Sequence, residues 1–250
     1  MIGADAIGGG VIDAAEPGGA SLLRLEGVTE SGVFWRLGEW LIADDTEARD
    51  AQADDSEADD TEAETPGVDA PGADAPGRRA ARLAELERRR RVGRRWVRDL
   101  ATTHLGLEWQ GFSADAPGRK PRLLGGSGAD ASISHSGGTL LVGVTADGLV
   151  GVDVEEEPFE AFEHAALLRR MCTAEELSAL DGLPGALRGR SLARAWTVKE
   201  ATLKAHGWGL ARDPREVAVD LDELLARGRE HGPERAIVHV TGGRTLVRHP

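Results

Sequence analysis

The stretch Arg194-Ala-Trp-Thr-Val-Lys-Glu-Ala-Thr-Leu-Lys-Ala-His-Gly-Trp-Gly-Leu210 decides how the rest of the chain is read. Ala, Leu, Lys and Glu favour a helix, no proline interrupts it, and Gly207 is a natural C-terminal stop. Trp196, Glu200 and Lys204 are four apart and so share one helix face, with steps of about 6 Å. An indole, a carboxylate and an ammonium on one stripe have two readings. One is a core tryptophan beside a surface Glu–Lys pair; the other is a reaction centre.

About fifty residues upstream sits Leu149-Val-Gly-Val-Asp-Val-Glu-Glu-Glu157, whose apolar alternation reads as a strand. Asp153 and Glu155 point to one side of it, about 7 Å apart, while Val152 and Val154 point the other way, into the core. Two carboxylates on one face repel each other and resist desolvation. A hard divalent cation relieves both costs, and oxygen ligands suit magnesium, with manganese as the alternative. Taken alone, Asp-x-Glu describes a solvated strand edge equally well. Glu156 and Glu157 are further acids, Glu156 facing away if the strand persists that far.

A third stretch is Ile133-Ser-His-Ser-Gly137, preceded by Gly118-Arg-Lys-Pro121. Proline disfavours helix at Lys120, which leaves an extended segment and an exposed ammonium. Gly151-Val-Asp-Val-Glu155 followed by Trp196-Thr-Val-Lys-Glu-Ala-Thr-Leu-Lys-Ala205 resembles the 4′-phosphopantetheinyl transferases. The match is to the larger, monomeric class that activates peptide- and polyketide-synthase carriers. Order and spacing agree across residues 118–210.

The resemblance implies an α+β fold of two similar halves in a pseudo-twofold arrangement, with the site between them. The halves would be residues 1–148 and 149–250. It implies transfer of the phosphopantetheine arm of coenzyme A to a serine of an apo carrier protein. Magnesium would be held by Asp153, Glu155 and Glu200, with Glu200 as base and Lys204 as charge stabiliser. Arg89, Arg90, Lys120, Ser134, His135 and Lys204 would contact coenzyme A, Trp196 would pack behind the site, and Lys199 is left without a role. Three rival readings stand beside it: a coenzyme A-binding module without turnover, a nucleic-acid-binding protein using Arg78–Arg98, and a metal-dependent phosphohydrolase.

Charge is distributed unevenly over the 250 residues. Residues 42–77 hold thirteen acids and one arginine, a balance of −12 out of a net −13, so the remainder (30 acids, 29 bases) is near −1. Few large apolar side chains and self-repelling charge mark 43–77 as a disordered insertion. Its bland reading is a spacer; the sharper one is competition with anionic ligands for the arginines that follow. Of 30 basic residues only three are lysine, namely Lys120, Lys199 and Lys204. One cysteine, Cys172, excludes an internal disulfide and fits a reducing compartment. No long apolar run suggests a membrane span, so the expectation is cytoplasmic.

In chain order, Ser21–Val28 and Gly32–Ile42 offer strands. Residues 79–103 read as helix, either continuous or as two helices broken near Arg91–Gly93. Ten arginines fall within Arg78–Arg98, but no nucleic-acid motif accompanies them, which disfavours that partner. Ala146-Asp-Gly148 predicts a hairpin joining Thr139–Thr145 to Leu149–Val154. Thr173-Ala-Glu-Glu176 is a capping box. Phe159, Phe162, Leu167 and Leu168 beside Arg169 and Arg170 suit either carrier docking or plain packing. Residues 182–190 read as loop, 220–228 as helix, and 235–241 and 244–248 as strands.

Overall fold

The computed structural model describes residues 25–39, 76–113, 120–126, 128–230 and 236–243. The acidic insertion as far as residue 75 and the strand expected at 244–248 lie outside these residues, and Pro76 and Gly77 already belong to a helix. The elements run β1 (Leu25–Val28), β2 (Phe34–Glu39), α1 (Pro76–Leu105), β3 (Asp130–Ser136), β4 (Thr139–Thr145) and β5 (Leu149–Glu156). There follow a 3-10 turn (Phe159–Glu163), α2 (Ala165–Met171), α3 (Ala174–Leu180), α4 (Gly185–His206), two 3-10 turns (Gly209–Ala211, Pro214–Glu216), α5 (Leu221–Glu230) and β6 (Ala236–Gly243). The fold is mixed α and β, as the sequence implied.

Two sheets are stacked. One has four antiparallel strands in the order β1-β2-β4-β3; the other is β5 paired with β6. Alternation along β4 divides its side chains between two cores. Leu140, Val142 and Val144 pack with Val92, Trp96, Val97 and Leu100 of α1. On the opposite face Leu141, with Val33 and Leu37, meets Val150, Val152 and Val154 of β5 and Val240 of β6. A third core gathers Phe159, Phe162, Met171 and Leu180 around Leu192 and Trp196 of α4. The layers therefore run α1, four-stranded sheet, β5–β6, α4. Between α1 and β2, Arg36 is buried in ion pairs to Glu26 (2.7 Å) and Asp99 (3.4 Å).

Three expectations need correction, and one open alternative is decided. The Ala146–Gly148 turn is present, but β5 leaves the sheet of β4 and pairs with β6, so no β4–β5 hairpin ladder forms. The apolar residues of β5 are better buried stacked on the sheet than aligned at its edge. Helix α1 runs unbroken through Arg91–Gly93; Gly93 is there for closeness, because a Cβ would lie 3.1 Å from Ile133 Cγ2. Helix α4 starts at Gly185, inside the supposed 182–190 loop, with Pro184 at its N-cap. Lys120 is not exposed: its side chain is only 16% accessible and pairs with Asp130.

The two sheets are joined in an unusual way. β5 hydrogen-bonds to β6 along one edge, and along the other its N–H groups donate to side chains of β3. Val150 N donates to Asp130 Oδ2 (2.9 Å), Val152 N to Ser132 Oγ (3.1 Å), Val154 N to Ser134 Oγ (3.4 Å) and Glu156 N to Ser136 Oγ (3.1 Å). The period of two on both strands makes this ladder possible, and it satisfies buried donors that no neighbouring strand reaches.

Candidate active site

The site lies where the C-terminal half of β5 faces α4. Gly151 lets the two approach: a Cβ there would stand 2.6 Å from Ala205 N and 2.8 Å from the Ala201 carbonyl carbon, both backbone atoms. Asp153 and Glu155, two and four residues on, project from the same strand face toward that helix. Helix α4 ends as expected on Gly207 in the left-handed conformation, φ 67°, its N–H returning to the Leu203 and Lys204 carbonyls.

Lys204 reaches across to Asp153 Oδ1 (2.8 Å) and to Ser134 Oγ (2.9 Å). Ser134 itself donates to Asp153 Oδ1 (2.8 Å). Ser136 donates to Glu155 Oε2 (2.9 Å), and the Trp196 side chain adds a second hydrogen bond to Glu155. Trp196 is thus buried behind the site, as expected, and also touches an acid within it. Two carboxylate oxygens, Asp153 Oδ2 and Glu200 Oε1, are buried with no hydrogen-bond partner among the described residues.

Burial dominates the electrostatics. It pushes the Glu155 carboxyl up to about 7, with Asp153 adding to the rise and Ser136, Lys204 and Trp196 opposing it. Burial likewise pushes Glu200 up to about 7; Lys204 opposes the rise, Asp153 adds to it and Arg170 of α2 opposes it. Asp153 and Lys204 therefore act on both glutamates, one from the strand and one from the helix.

The donor set suits a hard dication in type and charge: anionic oxygens, two of them unpaired in the interior. As placed, however, no three His, Cys, Asp or Glu side chains among the described residues stand close enough together to hold a metal ion. The ammonium of Lys204 sits against Asp153 instead.

Other expected residues fall elsewhere. Lys120 donates to Asp130 and to the Val150 carbonyl (2.5 Å), tying the loop to the start of β5. Ser134 has its one hydrogen and both acceptor positions in use, which leaves its hydroxyl no capacity for a ligand. His135, next along β3, is half-buried on the α1 side with Ile133. Arg89 pairs with Glu85, and Arg90 is half-buried with no ion-pair partner among the described residues. Glu156 binds Gly138 N (3.2 Å) and the Thr139 hydroxyl, closing the β3–β4 turn rather than serving as a spare acid.

Sequence reasoning missed two things. Lys199 is fully buried, donating to Glu176 (2.8 Å), the Pro214 carbonyl (3.2 Å) and the Val217 carbonyl (3.1 Å). Glu176 is the same residue that completes the capping box with Thr173. The serines of β3 were also missed as partners of the acids. Their spacing of two, matching that of Asp153 and Glu155, was the available signal.

The sequence also matches known proteins. Residues 149–240 match the family model for the 4′-phosphopantetheinyl transferase superfamily. Over 141 residues the chain is 33% identical to 4′-phosphopantetheinyl transferase HetI of Nostoc sp., covering 54% of this chain and 59% of HetI. Over 99 residues it is 32% identical to "Putative 4′-phosphopantetheinyl transferase slr0495" of Synechocystis sp., covering 38% of each. The matches thus span about half the length of these relatives or less. Residues 149–240, the part that this family model matches, carry Asp153, Glu155, Glu200 and Lys204.

Proposed function

We propose that the protein transfers the 4′-phosphopantetheine arm of coenzyme A to a serine hydroxyl of an apo carrier protein and releases adenosine 3′,5′-bisphosphate. One observation carries this reading. A strand and a helix, both within the matched family region, set Lys204 on Asp153 (2.8 Å), with Glu200, whose Oε1 is buried and unpaired among the described residues, one helix turn before Lys204.

Each group has a chemical task. Glu200, with a carboxyl titrating near 7, is poised to take the proton from the attacking serine. The serine oxygen then bonds to the β-phosphorus, and the bond from that phosphorus to the bridging oxygen of the diphosphate breaks. Lys204 stabilises the charge that grows on the departing α-phosphate, an effect strengthened by partial burial. Asp153, Glu155 and Glu200 would hold a magnesium or manganese ion. Bound there, it would neutralise the diphosphate and supply the charge balance that the three acids lack.

Of the residues expected to hold coenzyme A, Arg89, Arg90 and His135 keep that assignment beside Lys204. Lys120 and Ser134 are committed to Asp130 and Asp153 and act from within the protein. The pseudo-twofold relation of residues 1–148 to 149–250, the larger monomeric class, a cytoplasmic location and peptide- or polyketide-synthase carriers belong to the same proposal. Among the described residues no helix is long and apolar enough to cross a membrane.

The test is to incubate the protein with coenzyme A, magnesium and a panel of apo carriers, and to weigh the carriers by mass spectrometry. A gain of one phosphopantetheine on the carrier serine is expected. Unchanged masses across the panel would overturn the proposal. Phosphate release without any carrier would point to the hydrolase reading instead.

A further inference from the structure

We propose that Ser134 and Ser136 are positioning residues that aim the two strand carboxylates, Asp153 and Glu155, into the site; this rests on the metal assignment made within the transferase reading above. A serine hydroxyl has limited hydrogen-bonding capacity. It has one hydrogen to give and two lone pairs to accept with. Lys204 Nζ and Val154 N can only donate, and both donate to Ser134 Oγ, at 2.9 Å and 3.4 Å. The Ser134 hydrogen is thereby turned to Asp153 Oδ1. Glu156 N donates to Ser136 Oγ at 3.1 Å, which turns that hydrogen to Glu155 Oε2 at 2.9 Å.

The ladder between β3 and β5 thus has two outputs. Its backbone rungs join residues twenty apart, holding the strands in register. Its side-chain rungs join residues nineteen apart, each fixing one oxygen of an acid. For Asp153 this leaves Oδ2 as the oxygen without a partner. Ser132 provides a built-in comparison: it accepts from Val152 N (3.1 Å) but touches no carboxylate. A role confined to holding the strands together predicts that all three serines behave alike. An aiming role separates Ser134 and Ser136 from Ser132.

The experiment is a manganese titration of the full chain, without coenzyme A or carrier, followed by calorimetry or by the electron paramagnetic resonance of free Mn2+. Ser134→Ala and Ser136→Ala should each weaken Mn2+ binding roughly tenfold or more, the usual effect of removing a partner of a metal ligand. Ser132→Ala should keep wild-type affinity while losing thermal stability comparable to the other two. In turnover, Ser134→Ala should lower kcat and leave KM for coenzyme A within about twofold, the signature of a lost orientation rather than a lost ligand contact.

Equal loss of Mn2+ affinity in all three variants, or none in any, would overturn the inference. So would a rise in KM for coenzyme A with kcat unchanged. A wild type that binds no Mn2+ would remove the inference along with the metal assignment. A wild type that binds Mn2+ with this serine pattern but modifies no carrier would leave the inference standing and the transferase reading refuted.

Discussion

Replacing Gly151 with alanine tests how the site is assembled. Helix α4 lies on β5 with the backbone at Ala201 and Ala205 over Gly151. The added methyl would sit 2.6 Å from Ala205 N and 2.8 Å from the Ala201 carbonyl carbon, with the carbonyl oxygen closer still. Backbone atoms have no alternative rotamer, and the Ala201 carbonyl oxygen would lie only 1.8 Å from the methyl, so the helix itself must withdraw by roughly 1.5 Å or more to restore contact near 3.5 Å. Overpacking of this kind costs about 1–3 kcal/mol. In a chain of this size that lowers Tm by roughly 2–4 °C per kcal/mol. The same movement pulls Lys204 from Asp153, now 2.8 Å away, and shifts Glu200 with it. Misplacement by about 1 Å commonly costs on the order of 100-fold in turnover. Thermal unfolding and carrier modification followed by mass should therefore both fall in Gly151→Ala. Gly185→Ala is the control: it lies in the first turn of the same helix and its Cβ meets nothing within 4 Å. That variant should match or exceed wild-type stability, since alanine favours helix over glycine by about 0.5–1 kcal/mol. A Gly151→Ala protein as stable and active as the wild type would refute the direct seating of α4 on β5.

Other expectations follow from the same geometry. Glu200→Gln keeps shape but removes the proton acceptor, so kcat for carrier modification should drop by about 10²–10⁴, while metal-free stability at pH 8 should not fall; full activity would exclude Glu200 as base. Glu155 and Glu200 both titrate near 7 in the fold, above their ordinary 4.5, so the native state binds more protons than the unfolded chain between those values. Metal-free stability is then fully supported below about 4.5 and lost as pH rises through 7, by up to about 3 kcal/mol per group. Thermal-shift measurements should show magnesium raising Tm more at pH 8 than at pH 6, because the ion favours ionised carboxylates; the opposite ordering would contradict this. Lys199→Met strands Glu176 and two carbonyls in the interior, and should lower stability in chemical denaturation by about 3–5 kcal/mol; a neutral result would mean that the ammonium does not hold α3 and the 214–217 turn to α4.

How much could be read from residues alone depended on how local each signal was. The capping box at Thr173 and the glycine stop at Gly207 involve neighbours in sequence, and both stand in the structure. The side-chain alternation of β5 was also legible, with Val152 and Val154 in the core and the acids facing α4. Pairing was not. Asp147-Gly148 marks a turn, but whether the next strand joins the same sheet depends on Gly143, whose bare face admits Val152 at 2.6 Å from an imagined Cβ. The three lysines among thirty basic residues share one structural use. Lys120, Lys199 and Lys204 each make an internal ion pair and at least one further hydrogen bond inside the body. A compact ammonium with three hydrogens serves such mixed sets of acceptors better than a planar guanidinium. Lys120 illustrates the limit: proline predicted its extended backbone, but nothing local announced Asp130, ten residues on, as its partner.

The measurement that bears most directly on the account is an anomalous-scattering map from crystals of the protein grown with manganese and coenzyme A. The account requires a single strong peak within coordination distance of Asp153, Glu155 and Glu200, with the Lys204 ammonium moved toward the diphosphate. A peak elsewhere, or Glu200 left outside the coordination sphere, would contradict it.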